Sequence, residues 1–344
     1  MRKYFLLSIS LILIASFSGC KKNDSVVVPT QTEYTQDFET LWSHFDQEYC
    51  YFPMKNVDWN AQHDRYRSAV DTASSAESFV GICTAMLAPL RDGHVYFTAP
   101  DGSYHPTRVS PYHANYDMKV YQSLYQKYGG EFVDKGLGYA VVDSILCIGI
   151  LSWLDANFVV ADFDRILDSC KAMHGIILDV RPNGGGDQNL ALQVAGRFTS
   201  STTIGSYWSV RNGPNHSDLT SPAPIKVTPR GWTWTKPVVV LSGRVCFSSC
   251  EGFISAMRNI SSVTVIGDTT GGGSGNPKLY TFGNGWQYSV PQWIEYTADM
   301  KVIEWNGIAP DIYVKADSTD FAQGDDPVFD YALAWIKNAL VARQ

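Results

Sequence analysis

Long apolar runs are absent from this chain after its first 20 residues, so no later segment is expected to span a bilayer as a helix. Runs rich in lysine and arginine are also absent, and the net charge of -7 argues against nucleic acid as a partner. The histidines form no His-Glu-x-x-His pair. The sequence therefore gives no local support for a metal-dependent mechanism, and we expect no cofactor.

Cysteine is scarce, and its spacing fits neither a small disulfide scaffold nor a zinc site. Beyond Cys20 the cysteines are Cys50, Cys83, Cys147, Cys170, Cys246 and Cys250. An oxidising compartment would permit disulfides, but a core of this size does not need them, and we assign none. We expect Cys246 and Cys250, which flank Ser248, to be small buried spacers.

The first 19 residues are typical of a leader sequence. A basic start at residues 1–3 precedes a mostly apolar stretch at 4–17, and small residues then lead to Cys20. This pattern resembles a bacterial lipoprotein signal, in which Cys20 becomes the lipidated N-terminus and tethers the chain to a membrane outside the cytoplasm. Ordinary secretion is the alternative. Residues 20–34 are interpreted as the tether.

Three regions follow the tether, and at 45% apolar content the 344 residues suffice for a large core. Helical periodicity marks residues 35–90, a loop-rich insert covers 91–138, and an α/β pattern occupies 139–344. Predicted strands lie at 145–151, 175–180, 238–241 and 263–267, predicted helices at 157–173, 189–198 and 251–258, and hairpin strands within 278–303. Strands that alternate with helices imply parallel, right-handed crossovers.

Ser248 lies at the turn between a buried β-branched strand and a helix. A side chain at such a turn meets substrate at the carboxyl edge of a parallel sheet, beside helix N–H groups that can stabilise an oxyanion. A serine there is thus placed as a nucleophile. Alternatively, it caps the helix.

A second motif, Asp-Val-Arg-Pro-Asn-Gly-Gly-Gly-Asp, occupies residues 179–187 after another predicted strand. It lacks the Gly-Lys-Ser/Thr of a phosphate loop and the spacing of a dinucleotide fingerprint. Consecutive glycines let the backbone approach a ligand closely, so Gly185, Gly186 and the N–H of Ser249 are candidate donors to an oxyanion. A tight turn with an acidic helix start is the alternative.

Four motifs in order resemble the tail-specific or C-terminal-processing serine peptidases. They are Asp-x-Arg-x-Asn-x-Gly-Gly from 179, Ser-x-x-Glu from 248, Val-Ile-Gly-Asp-Thr-Thr-Gly-Gly-Gly at 265–273, and Gly-Ile-Ala-Pro-Asp-Ile from 307. The resemblance implies a crotonase-like (ClpP-like) α/β core, here with an N-terminal helical domain.

The motifs also indicate a branch of that family. In the processing-protease branch the base is a lysine where this chain has Gly273, which leaves Lys278 as an alternative base. Residues 90–94 (Leu-Arg-Asp-Gly-His) instead resemble the branch of the tricorn core protease and the retinoid-binding proteins. That resemblance implies His94 as base and Glu304 as its acid, although Gly93 stands where that pattern has a linking serine.

The resemblance implies a serine endopeptidase that hydrolyses peptides or unfolded proteins through an acyl-enzyme. The insert is too short for a PDZ domain, so tail specificity is not supported. Substrate choice would then rest with the helical domain and the aromatic residues Trp286, Tyr288, Trp293 and Tyr296. A non-catalytic ligand-binding protein and a small-molecule esterase or amidase stay open as alternative functions. The sequence does not predict an oligomeric state.

Overall fold

A computed structural model describes residues 30–133 and 135–341. The predicted leader, Cys20 and most of the tether lie outside the described residues, so lipid anchoring stays a prediction. Across the described ranges, no helix combines the length and apolar character needed to cross a bilayer. The boundaries drawn between domains from the sequence also stay predictions.

Helices and strands alternate through most of the chain. The helices are α1 (Gln31–Glu48), α2 (Phe52–Lys55), α3 (Trp59–Val70), α4 (Ala76–Leu87), α5 (Met118–Lys127), α6 (Val160–Ser169), α7 (Gln188–Ala195), α8 (Ser249–Arg258), α9 (Ser318–Gln323) and α10 (Pro327–Val341). The strands are β1 (Tyr96–Thr98), β2 (Tyr104–Pro106), β3 (Glu131–Phe132), β4 (Leu137–Val142), β5 (Ile145–Ile150), β6 (Gly175–Asp179), β7 (Thr203–Val210), β8 (Ala223–Val227), β9 (Val238–Ser242), β10 (Val263–Gly267), β11 (Lys278–Thr281), β12 (Gln287–Val290), β13 (Trp293–Thr297) and β14 (Ile312–Tyr313).

The central sheet has seven strands in the order β14-β10-β9-β6-β5-β4-β3. Strands β5, β6, β9, β10 and β14 run parallel, whereas β4 and β3 are antiparallel additions at one edge. Buried side chains alternate between the faces: Ile176 and Leu178 pack with α6, α7 and α8, and Ile177 packs with α10. The sheet is thus covered on both faces, which explains its near-continuous apolar strands and confirms the predicted α/β fold.

The N-terminal helices begin at side chains that suit helix starts. Thr30 and Ser75 form capping boxes at α1 and α4, and Asp58 caps α3. Their apolar faces share one core with a second sheet, which has the order β11-β12-β1-β2. Helical periodicity predicted α1 and α4 correctly, but their burial depends on strands from the 91–138 insert and from the 278–303 segment.

Three features differ from the sequence expectations. The region 91–138 contains α5, whose Tyr121 and Tyr125 pack on Ala140, and Asp117 caps this helix. A third sheet, β13-β7-β8, includes the unpredicted strands β7 and β8. Strands β11 and β12 form the predicted hairpin, but β13 pairs with β7 instead. The missed helix carries Tyr121, Leu124 and Tyr125 at the i, i+3, i+4 spacing of a helix, but the many proline, glycine and tyrosine residues around it favoured a loop-rich interpretation.

Candidate active site

Ser248 lies at a strained turn between β9 and α8. Its backbone has φ 57° and ψ -130°, which is unusual for a residue with a side chain. The Ser248 hydroxyl makes no capping bond to α8. The structure therefore does not support the capping alternative, and it leaves a partly exposed hydroxyl at the carboxyl edge of the sheet.

The glycine motif after β6 packs directly against this turn. Gly185 and Gly186 have φ 107° and 136°, and a Cβ on Gly185 would lie 2.8 Å from the Ser248 Cβ. Only glycine fits so close an approach in that conformation. The Gly185 N–H donates to Asn183 Oδ1 at 2.9 Å, so it is already engaged.

Two backbone donors remain beside Ser248. Within the described residues, neither the N–H of Gly186 nor that of Ser249, the first residue of α8, has a hydrogen-bond acceptor. The Ser249 hydroxyl donates to the Gly186 carbonyl at 3.0 Å and ties the two segments together. Of the predicted oxyanion donors, Gly186 and Ser249 are thus available, whereas Gly185 shapes the loop.

The glycine-rich segment at 271–273 also contacts this turn. The Ser248 N–H donates to the Gly273 carbonyl at 3.0 Å. Glu251 accepts from the N–H groups of Gly272 and Gly273 at 3.0 and 2.8 Å, and from the Thr270 hydroxyl. Burial raises the pKa of Glu251 to about 8. The glutamate of Ser-x-x-Glu therefore holds the 271–273 loop in place.

His94 is buried beside this turn, with its ring stacked on Phe247 at 4.6 Å between centroids. The backbone N–H of His94 donates to Asp92 Oδ1 at 2.8 Å. Burial lowers the pKa of His94, and the Asp92 carboxylate opposes this shift. The imidazole is therefore neutral near pH 7, which is the form that accepts a proton.

The imidazole of His94 is not hydrogen-bonded as a triad would require. Its Nδ1 is buried and has no hydrogen-bond partner in the part of the chain that the structure describes. Across residues 30–133 and 135–341, no hydrogen bond joins the ring to Ser248 or to Glu304. Catalytic hydrogen bonds are often long in unliganded structures and tighten with substrate.

Phe247 fills the space left by two glycines. A Cβ on Gly93 would lie 2.7 Å from the Phe247 Cζ, and one on Gly273 would lie 1.9 Å from the Phe247 Cε2. Neither a linking serine at 93 nor a lysine at 273 fits beside this ring. Lys278 is half exposed and pairs with Glu48 at 3.5 Å, so its ammonium is engaged at the surface.

Glu304 is buried, but its partner is a lysine from the helical region. Its Oε1 accepts from Lys55 Nζ at 2.5 Å, and its Oε2 accepts from the Ser274 N–H at 3.4 Å. Burial raises the pKa of Glu304, and the nearby Asp92 carboxylate raises it further. The ammonium of Lys55 acts in the opposite direction and lowers this pKa. The acid predicted to orient His94 is therefore held by Lys55, at the end of α2.

The helical region reaches the site through two more side chains. The Tyr49 hydroxyl donates to Asp92 Oδ2 at 2.9 Å, and the Tyr51 hydroxyl lies 2.5 Å from the Ser274 hydroxyl. Lys55, Tyr49 and Asp92 were missed from the sequence. Asp92 lies within the 90–94 motif, two residues before His94, but its carboxylate was given no role. Nothing in the local pattern marks Lys55 or Tyr49, because their partners Glu304 and Asp92 are far away along the chain.

A cavity of about 430 Å³ opens beside Ser248 and Ser249, with Trp293 in its wall. Trp286 and Tyr288, which were predicted to face substrate, are instead buried in the core under α1 and α4. Of the predicted aromatic residues, only Trp293 lines this cavity.

The chain is similar to known peptidases in both sequence and structure. Residues 145–314 match the Peptidase family S41, and residues 30–88 match the Tricorn protease C1 domain. A candidate peptidase from Parabacteroides merdae ATCC 43184 is 30% identical, with a TM-score of 0.78 and coverage of 90% of this chain and 97% of that chain.

Two more distant structures share the fold. Mature CPAF complexed with lactacystin is 11% identical, with a TM-score of 0.67 and coverage of 91% of this chain and 99% of that chain. The tricorn protease is 14% identical, with a TM-score of 0.54 and coverage of 90% of this chain and 37% of that chain. The motifs, the fold and the 30% identical relative agree, and this chain therefore belongs to peptidase family S41 and is a serine peptidase.

Proposed function

We propose that this chain is an endopeptidase that cleaves peptides or unfolded proteins through an acyl-enzyme on Ser248. The observation that carries the proposal is the Ser248 hydroxyl, which does not cap α8, beside the N–H groups of Gly186 and Ser249, which have no acceptor among the described residues. That arrangement suits a nucleophile and an oxyanion formed on a neighbouring carbonyl.

In the proposed mechanism, neutral His94 takes the proton of the Ser248 hydroxyl as its Oγ attacks the scissile carbonyl carbon. The resulting oxyanion accepts hydrogen bonds from Gly186 and Ser249. Collapse breaks the C–N bond, and the leaving amine takes the proton from His94. Water then attacks the acyl-enzyme, His94 accepts a proton from it, and Ser248 leaves with that proton.

The buried carboxylates act on this step through His94. Asp92 is the carboxylate that favours protonated His94, and its own position is set by Tyr49. We propose Glu304 as a second positioning residue, whose charge Lys55 keeps in place. Neither carboxylate touches the reacting atoms, so both are expected to affect the pH profile and kcat more than KM.

Hydrolysis of unfolded casein and of small acyl esters distinguishes the proposed substrate class from an esterase. We expect the wild-type protein to fragment casein, and Ser248→Ala to lower this rate at least about 1,000-fold because the nucleophile is lost. The measurement is casein fragmentation followed by electrophoresis, beside ester turnover. Rapid ester turnover with intact casein would overturn the peptidase proposal.

A further inference from the structure

The cavity beside Ser248 is lined by acidic side chains. Its lining includes Asp187 and Glu295, and none of the described residues that line it is lysine, arginine or histidine. Glu295 is 2% exposed, and no ion pair involves it in the part of the chain that the structure describes. Because a buried carboxylate without a countercharge is costly, this site favours a bound cation.

The hydrogen bonds of Glu295 leave one oxygen open. Its Oε1 accepts from the Ser206 hydroxyl at 2.7 Å and from Gln188 Nε2 at 3.1 Å. Within residues 30–133 and 135–341, Oε2 has no hydrogen-bond partner and is not fully enclosed. Burial raises the pKa of Glu295 to about 7, as expected for a carboxyl that lacks an opposite charge.

The walls of the cavity suit a long side chain. Trp208 and Trp293 are both partly exposed there, with ring centroids 5.4 Å apart and planes at 54°. Aromatic faces pack well against an aliphatic stem and attract a cation at its end. A volume of about 430 Å³ lies within the usual range of binding cavities.

We propose that this cavity receives the substrate side chain on the amino side of the cleaved bond, and that Glu295 makes it selective for lysine or arginine. The inference rests on the proposed function, since it requires Ser248 to be the nucleophile. The carboxylate supplies the countercharge of the bound ammonium or guanidinium, the tryptophan rings flank its stem, and Ser206 and Gln188 fix the carboxyl in position.

Matched quenched peptides test the selectivity. The peptides differ only in the residue on the amino side of the cleaved bond, which is arginine, lysine, glutamine or leucine. We expect wild-type kcat/KM to be about 100-fold higher for arginine or lysine than for leucine. Glu295→Gln should lower kcat/KM for the arginine and lysine peptides about 100-fold and keep kcat/KM for the leucine peptide within a few-fold of the wild-type value. Exposed Glu131→Gln on β3 is the matched control and should change neither value.

Two readouts separate this inference from the proposed function. If the wild-type protein cleaves peptides but prefers leucine or glutamine, the selectivity is wrong and the peptidase proposal stands. The same holds if Glu295→Gln still reacts with a serine-directed fluorophosphonate, which reports an intact site, yet keeps the basic preference. If no peptide is cleaved and the probe does not label Ser248, both proposals fail.

Discussion

Replacing His94 by alanine is expected to lower kcat for peptide hydrolysis by about 1,000-fold or more, with KM little changed, because the proposed general base is removed. The measurement is steady-state hydrolysis of a neutral quenched peptide, with circular dichroism as a check on folding. His174→Ala is the matched control, since that histidine is exposed and precedes β6, at the end of the sheet opposite Ser248.

The dependence of kcat/KM on pH provides a second test of the role of His94. Burial lowers the pKa of His94 below its usual 6.5, so the neutral, proton-accepting form predominates above that value. We therefore expect kcat/KM to rise with pH through a pKa below 6.5 and to be level near pH 7. Near-normal activity of His94→Ala together with loss of activity in Lys278→Ala would assign the base to the lysine instead.

Replacing Lys55 by methionine is expected to lower the free energy of unfolding by about 3–5 kcal/mol, because Glu304 would be left buried without its countercharge. Both side chains are almost fully buried, at 0% and 2% exposure, and Lys55 Nζ also lies 4.1 Å from the Trp305 ring centroid. The measurement is urea unfolding at pH 7.

Two further variants serve as controls for Lys55→Met. Lys301→Met breaks an exposed pair with Asp299 and should change stability by less than about 1 kcal/mol. Combining Lys55→Met with Glu304→Leu removes both charges and should recover most of the lost stability. Equal stability of Lys55→Met and Lys301→Met would show that the buried pair contributes no more than a surface pair.

The residues that meet at the turn were predictable because the fold brings strand ends together. Ser248 follows β9, the Gly185–Gly186 segment follows β6, and the 271–273 loop follows β10, and these three strands are adjacent and parallel. Each motif could therefore be placed at one edge of the sheet from its position after a buried run.

The surroundings of His94 were not predictable in the same way. The Lys55–Glu304 pair joins residues 249 positions apart, and the stacking of His94 on Phe247 depends on tertiary packing. Phe247 explains why glycines at 93 and 273 are compatible with one another, but only the structure shows that a single ring contacts both. Glu295 was missed because nothing in a strand pattern marks a buried acid.

Covalent labelling of the folded protein by a serine-directed fluorophosphonate tests the role of Ser248 most directly. Peptide mass spectrometry identifies the modified residue. We predict one label per chain on Ser248, slower labelling in His94→Ala, and none in Ser248→Ala. Absence of label on Ser248 in the folded wild-type protein, or a label on a different serine, would contradict its assignment as the nucleophile.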